Sequence, residues 1–438
     1  MSIKRSPFEK VVITSNDQSA RTVDITSGCV QIDYYEDVFS PIITAKIRVV
    51  NTGNVIIGKD SKNNNPQGLY TGLPLRGGEK VEIKIAGNSL RNLGLDLSSD
   101  PKSHLYVSSI SDAIISTNKE SFTLNLAPRE AITNETTRVG KKYELPIHET
   151  VNKISTDILK ASKIGTIDKT SNKYSFIGTL KKPFSVLTWL ASKSVPEKSK
   201  SGTAGFFFYQ TIDGFQFRSI DLLNEQTKKE TFIFSETAES YDSENKKVDN
   251  DLKILNYSIE RNQNLLEKMR LGTYSNTRYF FNPLNATITE PSKRIFRYSD
   301  YANNISNLGK EIIDFPDILN SSGQTLSTRI VTGILDVGTL NKGISKDVNA
   351  DLTEYQSQVL MRYNNLTMQI LKVTLPLNTN LRAGDIIECL FPRVSRETAK
   401  EFDEDQSGLY MIKELRHHFN ATNSFTALKL VRDTFGRK

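Results

Sequence analysis

Over roughly the first 130 residues, apolar and polar side chains alternate in short runs: Ile43-Ala45-Ile47-Val49, Val81-Ile83-Ile85 and Phe122-Leu124-Leu126. A period of two puts successive side chains on opposite faces of an extended chain, so these runs predict half-buried strands. The longest polar interruption, Gly58 to Gly68, carries Asn63-Asn64-Asn65-Pro66, which cannot continue a central strand. From about Pro146 the period changes. Val151, Ile154 and Ile158 recur at spacings of three and four and predict a helix over 149–160. A second helix, over 183–193, opens at Pro183, where a missing N–H is tolerated. A Ser- and Lys-rich loop, Ser192 to Ser201, leads into Phe206-Phe207-Phe208-Tyr209, then Asp213-Gly214 and Phe215-Gln216-Phe217, the signature of a hairpin over 205–220. Charged spacers at Glu236 to Lys253 and Asn341 to Asp351 bracket a middle in which Leu252, Leu255, Ile259, Leu265 and Leu266 fit a helix or a long strand. From Tyr355 the pattern returns to period two, with Leu366-Met368-Ile370 and Val373-Leu375.

The two β-patterned parts share wording. Leu75-Arg76-Gly77-Gly78-Glu79 corresponds to Leu381-Arg382-Ala383-Gly384-Asp385, and Leu105-Tyr106-Val107 to Leu409-Tyr410-Met411. Ser121-Phe122-Thr123 and Arg129-Glu130 then correspond to Ser424-Phe425-Thr426 and Arg432-Asp433. Matches in one order and at nearly one offset indicate a duplicated unit. Gly78 and Gly384 suit a turn position of positive φ, and the acid that follows each can accept turn N–H groups. The residues singled out are therefore Leu75, Arg76, Gly78, Glu79, Leu381, Arg382, Gly384 and Asp385, as markers of the repeat.

Composition narrows the function classes. At 438 residues and 37% hydrophobic, the chain has room for about three domains with cores of their own. Fifty-seven basic and 50 acidic residues give +7, but the charges are interspersed, which argues for a solvated surface rather than a nucleic-acid stripe. No stretch has the roughly 18 apolar residues of a membrane span and the N-terminus lacks a signal-peptide core, so synthesis in the cytoplasm without stable membrane association is expected. Cys29 and Cys389, the two cysteines, both fall in strand-like segments and are expected to be buried, inert thiols.

A search for chemistry finds no G-x-S-x-G elbow, Walker loop or H-E-x-x-H. Asp403 to Glu414 fits the calcium-loop spacing, but that loop must join helices, and Leu409 to Phe419 aligns with a strand. His417 and His418 are adjacent, so in a strand they face opposite ways and cannot share a metal. Phe206 to Tyr209 lacks interleaved basic residues and fits a buried sheet better than a base-stacking platform. No catalytic, cofactor-binding or metal-ligating residue is nominated, no cofactor is expected, and the chain reads as a non-enzyme.

Asp24-Ile25-Thr26-Ser27-Gly28-Cys29-Val30-Gln31-Ile32-Asp33-Tyr34-Tyr35-Glu36-Asp37, the Gly72 to Glu79 turn, the helix ending Trp189-Leu190-Ala191 and the aromatic hairpin together resemble the baseplate central hub protein of T-even-like contractile-tailed phages. The resemblance implies a mixed β/α+β chain with two homologous tail-tube-like antiparallel β-barrel domains and α/β domains inserted between them. It places the first tube-like domain at 1–135, an α/β domain at 136–225, a mixed segment with an inserted subdomain at 226–354, and the rest of the second tube-like domain at 355–438. It implies a homotrimer in the virion's tail baseplate, linking the six-fold tail tube protein to the three-fold central spike protein and touching other hub or wedge proteins. Tape-measure protein and genome would pass through its lumen. The polar spacers are longer than the family's. Competing expectations are the base of a related contractile injection-system spike and a tail-associated peptidoglycan hydrolase.

Overall fold

A computed structural model describes residues 5–17, 20–52, 68–117, 119–197, 202–235, 249–261, 264–283, 286–310, 327–336, 353–393 and 402–438. The Asn-rich loop before Gly68 and most of the two charged spacers lie outside the described residues.

The N-terminal part supplies strands β1 (Phe8–Thr14), β2 (Thr22–Asp24), β3 (Cys29–Asp37), β4 (Thr44–Thr52), β5 (Lys80–Ala86), β6 (Gly94–Asp96), β7 (Leu105–Ser116) and β8 (Lys119–Pro128). The period-two runs set their faces. On β4, Ala45, Ile47 and Val49 are buried while Lys46 and Arg48 are exposed; Val81, Ile83 and Ile85 of β5 and Phe122, Leu124 and Leu126 of β8 point to the same core.

The middle part holds short strands β9 (Lys142–Tyr143), β10 (Ile164–Ile167) and β11 (Phe176–Ile177) and the hairpin of β12 (Phe206–Thr211) and β13 (Gly214–Ser219). Its first helix runs Ile147–Lys153 and continues as a wider π turn, Ile154–Ile158; its second is Pro183–Ala191. Every residue of β12 is buried. Phe206 and Phe208 pack with Val151, Leu187 and Leu190 on one side, and Phe207 and Tyr209 with Leu223, Ile386 and Val431 on the other. Two covered faces explain why this strand is an unbroken aromatic run rather than an alternation.

The remaining strands are β14 (Thr231–Phe234), β15 (Lys253–Ile254), β16 (Asn256–Arg261), β17 (Ser275–Asn282), β18 (Thr287–Ile288), β19 (Ile295–Arg297), β20 (Ile330–Ile334), β21 (Gln369–Pro376), β22 (Ile386–Leu390), β23 (Gly408–Asn420) and β24 (Ser424–Arg432). The leucine-rich middle divides, with Leu252 ending a 3-10 turn, Ile259 in β16 and Leu265–Arg270 a short helix. Strands β17 to β20 form a separate small sheet. The period-two reading from Tyr355 needs correcting, because Thr353–Leu366 is a helix and extended structure begins at Gln369. Tyr355, Val359, Tyr363 and Leu366 recur at spacings of four and three, and all four are at least partly buried.

Among the described residues neither β part closes into a barrel of its own. They are fused in one branched 15-stranded sheet in which β3 pairs with β23, Gln31 to Asp37 antiparallel to Asn420 to Glu414. Within it the order β3-β4-β8-β7-β5-β1 in the first part is repeated as β16-β21-β24-β23-β22-β14 in the second. The copies differ at the last step, since β1 is antiparallel to β5 whereas β14 is parallel to β22. One apolar core crosses the fusion, joining Ile32, Ile47 and Leu124 to Leu415, Leu428 and Phe419. The expectation of one core per β domain gives way here, because pairing the edges aligns the inward residues of both sheets. The molecule is mostly sheet with few helices.

Candidate assembly interface

The repeat-marking turns share a hydrogen-bond pattern. Gly78 (φ +83°) donates its N–H to Val107 O at 2.7 Å, and Gly384 (φ +90°) to Ile412 O at 2.8 Å. The Glu79 carboxylate accepts from Arg76 N at 2.6 Å and the Asp385 carboxylate from Arg382 N at 2.8 Å. Leu75 and Leu381 are buried beneath the turns. By these bonds Val107 is the counterpart of Ile412, one residue beyond the Met411 that sequence alignment assigns it.

Their surroundings differ. The first turn lies at the surface, where Asn16 Nδ2 donates to Gly77 O at 3.2 Å and Arg76 is exposed. The second is packed between the halves of the molecule. Arg382 Nε donates to Asp213 Oδ2, at the tip of the aromatic hairpin, at 2.9 Å, and an added Cβ on Gly384 would lie 2.4 Å from Tyr209 Oη.

Glu36 gathers the three parts. Its carboxylate is 2% exposed and accepts from Tyr34 Oη at 2.8 Å, from Ile212 N of the hairpin at 2.9 Å and from Ala383 N of the second turn at 2.9 Å. Burial raises its pKa above the ordinary carboxylate value, against the nearby Arg382 charge and these donors. Sequence reasoning passed over Glu36, yet a signal was present: Ile32, Tyr34 and Glu36 alternate on one face, so the acid falls on the side of the core.

Along the seam, Asp33 accepts from Gln31 Nε2 at 2.6 Å and from Arg416 Nε at 2.8 Å, and lies 2.7 Å from His418 Nδ1. Burial raises the Asp33 pKa, but the bonds from His418, Arg416 and Gln31 outweigh it and hold the group below its ordinary value. His417 faces the other way, stacked on Tyr34 with ring centroids 6.1 Å apart and 3.0 Å from Thr426 Oγ1. Its burial, with Arg382 nearby, pushes its pKa down to about 3, so it is neutral. Cys29 and Cys389 are buried in the core; burial pushes the Cys29 thiol up to about 12 and the Cys389 thiol up as well, which keeps both protonated.

The opposite face of the fused sheet is polar and concave. Residues of β3, β4, β16, β21, β23 and β24 wall a depression of about 780 Å³. Tyr35, Lys46, Lys372, Glu414, Arg416 and Lys429 are among them, and Lys429 is 3.1 Å from Glu260. Among the described residues, no group of three His, Cys, Asp or Glu side chains is placed to hold a metal ion. Asp403 and Glu414 do not share a loop, because β23 begins at Gly408.

Neither a family model nor a curated protein matches the chain. Solved structures do. The tail protein from Neisseria meningitidis MC58 superposes with a TM-score of 0.52 at 10% identity, over 97% of this chain and 96% of that one. This is a phage tail-protein fold. The 43 kDa tail protein of prophage MuSo2 from Shewanella oneidensis aligns at 8% identity with a TM-score of 0.50, covering 97% of this chain and all of that chain. Likeness over whole chains at so little identity places the shared information in strand order and burial pattern. Both of these structural neighbours are tail proteins, and the hub resemblance read from the sequence is consistent with them.

Proposed function

We propose that this chain is a structural component of a contractile-tail baseplate, its central hub. The observation that carries the reading is the repeated strand order, fused edge to edge at β3 and β23. Two similar units per chain give three chains six similar lobes around one axis, the arrangement needed to match a six-fold tube on one side and a three-fold spike on the other. In this reading 1–135 and 355–438, with the flanking strands of 226–354, form the ring, and 136–225 braces the two units through Glu36 and Arg382. The buried, hydrogen-bonded seam suits a part that transmits force without rearranging.

The concave polar face is the candidate lumen lining. Its mixed charges, Lys46, Arg416 and Lys429 beside Asp37, Glu260 and Glu414, give a passing tape-measure protein or genome no strongly charged surface to adhere to. Partners are the tube protein, the spike protein and other hub or wedge proteins, and the location is the virion tail.

Mass in solution, measured for the full chain alone and with tube and spike proteins, tests the proposal. A trimer, imaged as a hollow ring with six lobes, is expected. A chain that stays monomeric with both partners overturns it.

A further inference from the structure

The small sheet of β17 to β20 is covered on one side only. Its inward side chains, Asn276, Arg278 and Phe280 of β17 and Phe296 of β19, are buried, and Phe296 packs with Tyr274, Tyr298 and Met361. The alternate residues face outward, and the register gathers them into rows. Thr277 lies between Ile295 and Ile330, Tyr279 beside Thr332, and Phe281 between Ile288 and Ile334. Ile330 is 67% exposed, Ile334 72% and Ile288 56%, and Tyr279, Phe281 and Ile295 are exposed as well. So many large apolar residues on one bare face mark a contact surface.

The edge beside that face is open. Strand β20 pairs with β17 in parallel, with Thr277 N donating to Arg329 O and Leu335 N to Phe281 O, both at 2.8 Å. The odd-numbered residues of β20 thus turn their N–H and C=O groups toward β17. Both groups of one strand residue point the same way, and the direction alternates along the chain. Ile330, Thr332 and Ile334 therefore present their N–H and C=O groups to the other side, where no strand among the described residues meets them. The same three residues hold their side chains on the bare face. Ile330-Val331-Thr332-Gly333-Ile334 carries neither charge nor proline, the devices that ordinarily blunt an edge.

Charge around the sheet is one-sided. Residues 264–283, 286–310 and 327–336 hold eight Lys and Arg against four Asp and Glu, a balance of 8 − 4 = +4. Arg329 is exposed at the start of the open edge. Arg294 lies over the Tyr279 ring, 5.1 Å from its centroid, and Arg297 follows Ile295 on the outward side of β19. Asp336, the acid just beyond β20, is engaged with Tyr174 Oη.

We infer that β20 is a docking edge for an extended acidic segment of another protein. The segment adds one strand beside β20 and lays alternate apolar side chains over Ile330, Thr332 and Ile334, while its carboxylates are held by the surplus positive charge. Main-chain pairing supplies the affinity, and the apolar rows select the side chains accepted. This contact is separate from the ring reading above and does not depend on it.

A fluorescein-labelled decapeptide of alternating glutamate and valine, titrated with the full chain and read by anisotropy, tests the contact; a lysine and valine peptide is the control. Saturable binding is expected, about tenfold tighter for the glutamate peptide than for the lysine one. Thr332→Pro removes the central N–H of the open edge while the bonds to β17, made by the odd-numbered residues, stay in place, and it should weaken binding about tenfold. Hydrogen exchange at the Thr277 and Leu335 amides, both bonded between β17 and β20, verifies that the sheet persists. Ile334→Gln alters the apolar row without touching the backbone and should also weaken binding. A glutamate peptide that does not bind, equal binding of both peptides, or binding unchanged in both variants overturns the proposal. So does a chain that doubles its mass on its own and reverts in Thr332→Pro, because a second copy then takes the edge.

Discussion

Replacing Glu36 with alanine removes the acceptor that ties the first β unit, the hairpin and the second repeat turn together. Three donors then lack their partner: Tyr34 Oη, Ile212 N and Ala383 N, all 2.8–2.9 Å from the carboxylate. A buried donor left unsatisfied costs roughly 1–3 kcal/mol. The loss is partly offset because alanine also relieves the burial of a carboxylate whose pKa is raised by desolvation. The expected net loss is about 3 kcal/mol, drawn from a typical total of roughly 5–15 kcal/mol. Glu36→Gln keeps one acceptor oxygen, which in the place of Oε1 still serves Tyr34 Oη and Ile212 N, so only Ala383 N, bound to Oε2, loses its partner and the loss should be about 1 kcal/mol. The pH dependence has a sign of its own. A folded-state pKa above the ordinary 4.5 means the folded chain binds the proton first, so as pH falls toward 4.5 Glu36 adds stability, and Glu36→Gln removes that gain. Hydrogen exchange at the Ile212 and Ala383 amides, with urea unfolding at neutral pH and again as the pH is lowered toward 4.5, measures both effects. Faster exchange at both amides and a larger loss for alanine than for glutamine are expected. An alanine variant within about 1 kcal/mol of wild type with both amides still protected would refute the reasoning.

The two turn glycines should respond unequally. Gly78→Ala costs the strain of a positive φ, about 1–2 kcal/mol, and meets only the movable end of Asn16. Gly384→Ala adds a clash with the buried Tyr209 hydroxyl, and thermal unfolding of the pair should rank it clearly lower. Arg362→Met strands the buried Asp221 and Asp433 carboxylates, now 2.9 and 3.2 Å from its guanidinium. Loss of one partner of such a buried pair costs about 3–5 kcal/mol, and denaturant unfolding that finds less than 1 kcal/mol contradicts this. His417 binds a proton near pH 6.5 in the unfolded chain but only near pH 3 when folded. Its contribution is therefore present above pH 6.5 and declines between 6.5 and 3, and His417→Phe should flatten the fall in stability over that window.

Period-two runs fixed the faces of β4, β5 and β8 from sequence alone, because alternation in a half-buried strand depends only on which residues avoid water. The repeat was legible for the same local reason: the Leu75 and Leu381 turns need glycine at positive φ and an acid to accept N–H groups, and those demands survive as residue types. The helix Thr353–Leu366 was also written in the chain, in Tyr355, Val359, Tyr363 and Leu366, but a strand pattern beginning three residues after it drew the boundary too early. What no local pattern could specify was the fusion. Whether β23 pairs with β3 depends on two edges more than 370 residues apart meeting with their inward residues in line. Glu36 takes its role only from that meeting, since two of its three donors come from distant parts of the chain. Sequence determined the units and their faces, which short-range periodicity controls; tertiary structure alone decided which edges close and which stay open, because edge pairing is a matter of long-range geometry.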